Sequence, residues 1–65
     1  MGEYIVCAGG GLRQRETPGG RYMQMIPDGT RIRALDERDG CIKVRHRGYV
    51  GWVSAEYCAL ADGND

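Results

Sequence analysis

The side chains that could do covalent or acid–base chemistry here are few, and their spacing argues against it. Cys7, Cys41 and Cys58 are the thiols, and His46 is the one histidine. A nucleophilic cysteine needs a basic neighbour that holds it as thiolate. Cys41 and His46 stand five residues apart, which on an extended strand puts them on opposite faces. A dyad is therefore disfavoured, and His46 is expected at a solvated strand end. The three cysteines match no zinc-ligand spacing, so no metal site is expected. Most of the acidic residues sit at turn positions, where solvation explains them better than a catalytic pair does. Gly9-Gly10-Gly11 lacks the lysine and hydroxyl residue of a phosphate cradle. Met23 and Met25 read as packing rather than soft metal ligands. The chain is expected to be no enzyme and to carry no cofactor. An odd number of thiols leaves at least one free. A Cys7–Cys58 disulfide becomes reasonable if the terminal strands pair; otherwise all three act as small hydrophobes.

Binding chemistry is better represented. Arg13 and Arg15, Arg31 and Arg33, and Arg45 and Arg47 form alternating pairs, each pair on one face of its strand. Their ordinary role is a wet face interleaved with acids. The other role is a set of forked donors for carboxylate or phosphate. Nine basic residues balance nine acidic ones, which counts against nucleic acid or an anionic membrane as the partner. The stretch from Gly48 to Tyr57, GYVGWVSAEY, holds the single tryptophan and two of the four tyrosines.

The elements that must position these groups are short. No window keeps helical spacing, and 11 glycines punctuate 65 residues. Alternating runs between turn signals argue for an all-β domain. Strands are expected at Tyr4–Ala8, Thr30–Asp36, Cys41–His46, Tyr49–Ser54 and Cys58–Leu60; Leu12–Arg15 is a short, extended, charged segment and Tyr22–Ile26 is mixed, which makes five or six strands in all. Asp39-Gly40 signals a hairpin, Arg47-Gly48 turns the chain again, and Thr30–Ser54 should be a three-stranded meander. A long loop is expected around residues 16–24 and a short 3₁₀ turn around 54–57. The expected interior is Val6, Leu12, Ile26, Ile32, Ala34, Ile42, Val44, Val53 and Leu60. Residues 1–60 form one domain in this reading, and 61–65 a frayed tail or cut linker. No apolar run is long enough to span a membrane, and no secretion leader is visible.

Leu12-Arg13-Gln14-Arg15, Ile26-Pro27-Asp28-Gly29-Thr30, Asp39-Gly40-Cys41-Ile42-Lys43-Val44 and Gly51-Trp52-Val53-Ser54-Ala55-Glu56-Tyr57 occur in an order and spacing that resembles the bacterial SH3-like domain family (SH3b). The resemblance covers residues 4–60. It implies a small SH3-like barrel of five to six short antiparallel strands without catalytic activity. It also implies a binding module for cell-wall peptide or peptidoglycan within a larger protein, located in the cell envelope or outside the cell. The chain departs from the family pattern at Cys41, where a tryptophan is usual, at Gln14, where a valine is usual, and at Tyr49.

In the strand Tyr49–Ser54, placing Val53 inside puts Tyr49 and Gly51 on its side and Val50, Trp52 and Ser54 on the other. Trp52 is therefore expected outside the interior, either covered by the 16–24 loop or forming the floor for an extended ligand. Tyr57 and Tyr22 would stand beside it, and Arg13 or Arg15 would reach a ligand carboxylate. Two other readings stand beside this one. In the first, the aromatic face is covered by a partner protein or a second copy. In the second, less favoured, the arginines make a nucleic-acid-binding regulatory barrel.

Overall fold

The structure, a computed structural model, describes residues 2–61. It is all-β, with two antiparallel sheets and one 3₁₀ turn. The strands are β1 (Glu3–Val6), β2 (Leu12–Arg15), β3 (Tyr22–Ile26), β4 (Arg31–Arg33), β5 (Asp36–Arg38), β6 (Cys41–His46), β7 (Tyr49–Ser54) and β8 (Cys58–Leu60). The 3₁₀ turn is Ala55–Tyr57. One sheet has the order β4-β1-β8, the other β3-β2-β7-β6-β5.

Eight strands replace the expected five or six: Leu12–Arg15 and Tyr22–Ile26 are both strands, and the segment Thr30–Asp36 is not one strand. Its β4 half pairs with β1, and its β5 half pairs with β6. The change of partner falls between two adjacent amides: Ala34 N–H donates to Gly2 O at 2.9 Å, and Leu35 N–H to Lys43 O at 2.7 Å. A chain that turns a corner between two sheets must interrupt its ladder there. Leu35, which breaks the alternation in the sequence, marks the corner and is exposed. The meander is accordingly β5-β6-β7. Its two hairpins use the expected dipeptides with positive φ at both central residues: Asp39 and Gly40 at 52° and 75°, Arg47 and Gly48 at 54° and 83°. That matches the twist of the flanking strands.

The interior is Val6, Leu12, Ile26, Ile32, Ala34, Ile42, Val44 and Val53, with Tyr4, Ala8, Ala55 and Cys58 packed at its margin. Leu60 does not belong to it. It ends an edge strand opposite Tyr4, overhangs the core and is 65% exposed. Tyr4 Oη donates to Glu37 Oε2 at 2.9 Å and so ties β1 to β5 across the two sheets. The loop after β2 is shorter than expected, residues 16–21. It is closed by Glu16 N–H to Arg21 O at 2.9 Å and Gly20 N–H to Thr17 O at 2.8 Å. Ala61 N–H still donates to Glu3 O at 2.9 Å, so Ala61 is held against β1. The rest of the expected tail, residues 62–65, lies outside the described residues.

The interior also holds Gln14, fully buried. Its strand β2 meets β7 through a single pair, Arg15 with Trp52. The Gln14 side chain supplies the bonds that this short ladder lacks. Nε2 donates to Val44 O and to Tyr49 O, each at 3.1 Å, and Oε1 accepts from Gln24 Nε2 at 2.7 Å. Gln24 Nε2 also reaches His46 O at 2.8 Å. A buried amide costs stability unless its groups are paired, and here they are. Beside it, Gly51 lets the backbones close up. A Cβ on Gly51 would stand 2.6 Å from Arg15 O and 2.9 Å from Gln14 Cγ.

Gly51→Ala should therefore push β2 off β7, at a cost of about 2–3 kcal/mol in urea unfolding; a loss near zero would show that the approach is loose. A second expectation concerns acid. Arg31 and, less closely, Arg33 hold the Glu3 carboxyl below its ordinary pKa. A depressed carboxyl pKa adds stability above the unfolded value, and that stability is lost as pH falls through the folded value. Below the ordinary glutamate pKa of about 4.3, the Tm of the native chain should fall more steeply than that of Glu3→Gln.

Candidate functional site

The register of the five-stranded sheet fixes what stands around Trp52. Antiparallel partners share a face. Trp52 is opposite Arg15 on one side and Lys43 on the other. Lys43 is in turn opposite Asp36, Cys41 opposite Arg38, and Arg45 opposite Val50. Arg13 lies two residues before Arg15 on the same face, opposite Met25. Trp52 thus sits at the centre of the outward face, with Arg13, Arg15, Arg38, Lys43 and Arg45 around it.

The outward parity expected for Trp52 holds: Val53 is in the core cluster and Trp52 is not. The ring is nevertheless only 7% exposed. The Arg38 guanidinium lies over it, 5.3 Å from the ring centroid. Long cationic side chains cover apolar surface with their stems and keep their charge in water. Trp52 is therefore a roofed ring rather than an open floor.

Beside the ring runs a groove of about 520 Å³. One side is the Gly9–Gly11 turn, and another is Pro18 with Gly19. Arg13, Arg15, Cys41, Trp52 and Tyr57 line it, so four of the five expected ligand-binding residues come together. Tyr57 is 46% exposed and offers the open ring that Trp52 does not. Arg15 Nη1 donates to Gly20 O at 2.9 Å and braces the 16–21 loop against the groove. Tyr22 is elsewhere: with Glu16, Met23, Gln24 and Tyr49 it lines a separate depression of about 320 Å³.

The arginine pairs separate into two environments. Arg31 and Arg33 lie on the three-stranded sheet, where Glu3 pairs with them at 2.9 and 3.5 Å. That is the interleaved wet face of ordinary expectation. On the Trp52 face, Asp36 is the one carboxylate that the strand register supplies among the described residues, and the cation it pairs with is Arg38, at 3.5 Å.

The cysteines are free thiols. The terminal strands do pair, but Val6 is opposite Cys58, so the offset of one residue turns Cys7 to the other face. Cys7 Sγ donates to Ile5 O and Cys58 Sγ to Ser54 O, and the Cys7–Cys58 disulfide is not made in this structure. Burial pushes the Cys58 thiol pKa up, and Cys7 nearby adds to the rise. His46 is half-buried rather than solvated, with Nε2 shielded and without a hydrogen-bond partner. Cys41 and His46 fall on opposite faces of β6, as expected. No group of three or more His, Cys, Asp or Glu side chains that could hold a metal occurs among the described residues. No helix among them is long and apolar enough to cross a membrane.

Sequence reasoning missed Gln14 as a structural residue and missed the partition of the arginines. A signal for Gln14 was present: Leu12 inside implies the same side for residue 14. No family model matches the chain. In an alignment of 48 positions that covers 71% of the chain, the sequence is 38% identical to the "Putative N-acetylmuramoyl-L-alanine amidase YrvJ" of Bacillus subtilis (strain 168). The alignment covers 9% of the length of the relative.

Removing the roof should expose the ring. Arg38→Ala is expected to shift Trp52 fluorescence to longer wavelength while costing no more than about 1 kcal/mol of stability. An unshifted emission maximum would mean that other groups cover the indole.

Proposed function

We propose that the chain is a non-catalytic, SH3-like binding module of the bacterial cell envelope. In this reading residues 1–60 are one unit of a larger protein, and the groove takes an extended cell-wall peptide or peptidoglycan fragment. The observation that carries it is the convergence of Tyr57, Arg13, Arg15 and Trp52 on one groove. The similarity to a short segment of an amidase that is named for a muramoyl-peptide bond supports the same setting. An open ring with forked cations beside it suits a ligand that alternates apolar and charged groups.

A second reading is supported by a different edge. Tyr22 and Tyr49 are 49% and 60% exposed, and β3 is the outer strand of its sheet. An unpaired edge with apolar flanks suits a partner chain or a second copy. The nucleic-acid reading is weakened by the covered Trp52, since bases need an open ring to stack on.

Purified peptidoglycan sacculi provide the test. The chain should co-sediment with them, and Tyr57→Ala should weaken that binding by at least about tenfold with the Tm unchanged. Sedimentation no greater than that of an unrelated small β-protein would overturn the reading.

A further inference from the structure

The charges on the Trp52 face are out of balance, and the chain as a whole is not. Nine acids and nine bases cancel overall, yet the register collects Arg13, Arg15, Arg38, Lys43 and Arg45 on this face against one strand carboxylate, Asp36. Neighbouring positions on such a face are about 5 Å apart across the strands and 7–8 Å on the diagonal. No two of the cations are directly opposite; Arg38 and Lys43 are diagonal neighbours, and Arg13 with Arg15 and Lys43 with Arg45 follow one another along their strands. Arg31 and Arg33 are paired with Glu3; Arg13, Lys43 and Arg45 take part in no ion pair in the described structure.

We propose that this face, continuous with the groove through Arg13 and Arg15, recognises an extended peptide bearing two or more carboxylates. The inference rests on the groove being a peptide site and adds the chemical class of what enters it. One carboxylate would need one guanidinium fork. Five cations around a single ring fit a ligand with several negative groups. Trp52 is covered by Arg38, so the face offers charge rather than a stacking platform. That favours carboxylates strung on a peptide over a single-stranded nucleic acid. Lys43 stands where a second carboxylate would arrive once Arg15 holds the first, because the two flank Trp52 on opposite sides.

Calorimetric titration tests this with a synthetic N-acetylmuramoyl tetrapeptide in two forms: one with its peptide carboxylates free, the other with them amidated. The free-acid form should bind at least about tenfold more tightly, and its affinity should fall with added salt. Arg13→Gln and Arg45→Gln, both exposed positions, should each reduce that preference and leave the Tm in place. Equal affinity for the two forms would overturn the carboxylate reading and leave the groove as a peptide site. Binding of neither form, together with absence of binding to sacculi, would overturn both. Tighter binding of a glycerol-phosphate polymer or of oligo-dT than of the free-acid peptide would assign the cations to phosphate and also overturn the proposal.

Discussion

The close approach of β2 to β7 at Gly51 decides what surrounds Trp52. With no side chain at Gly51, the Arg15 carbonyl comes within the space a Cβ would fill. That contact brings Arg13 and Arg15 alongside Trp52, and parity does the rest. Residues 51 and 53 turn inward, residue 52 outward, and the meander places Lys43 and Arg38 on the far side of the ring. Every functional statement about the groove depends on this alignment.

Gln14 shows how so short a junction is held. A valine there would fill space, but it would leave the carbonyls of Val44 and Tyr49 without the partner they have. The amide turns one residue into a three-way tie among β2, β3 and the β6–β7 hairpin. In a domain whose core supplies a margin of about 3–5 kcal/mol, a satisfied buried amide is a substantial part of what fixes register. The exposed ion pairs contribute little by comparison.

Much of the fold was legible because strands of this kind alternate strictly. The hairpins at Asp39-Gly40 and Arg47-Gly48, the 3₁₀ turn and the core residues Ile32, Ala34, Ile42, Val44 and Val53 follow from period-two patterning and turn chemistry, whereas Val6, Leu12 and Ile26 are expected inside only as the remaining apolar residues. Thr30–Asp36 misled, because a strand that changes sheets keeps a nearly continuous pattern while its partners change. Leu60 misled because parity fixes a face and not how far the opposing layer extends. For the site, parity placed Trp52 outward, but the covering by Arg38 depends on a residue two strands away in the sheet and 14 positions earlier in the chain. No local pattern encodes that. The same is true of the two arginine environments: sequence spacing shows the pairs, and only the strand order shows which of them meets Glu3.

The most direct measurement is the nuclear Overhauser spectrum of the free chain. Cross-peaks from the Trp52 indole to the Arg38 side chain, without cross-peaks to the methyl groups of Ile42 and Val44, are what this arrangement requires. Strong contacts from the indole to those methyl groups would place the ring in the interior and remove the face on which the binding account is built.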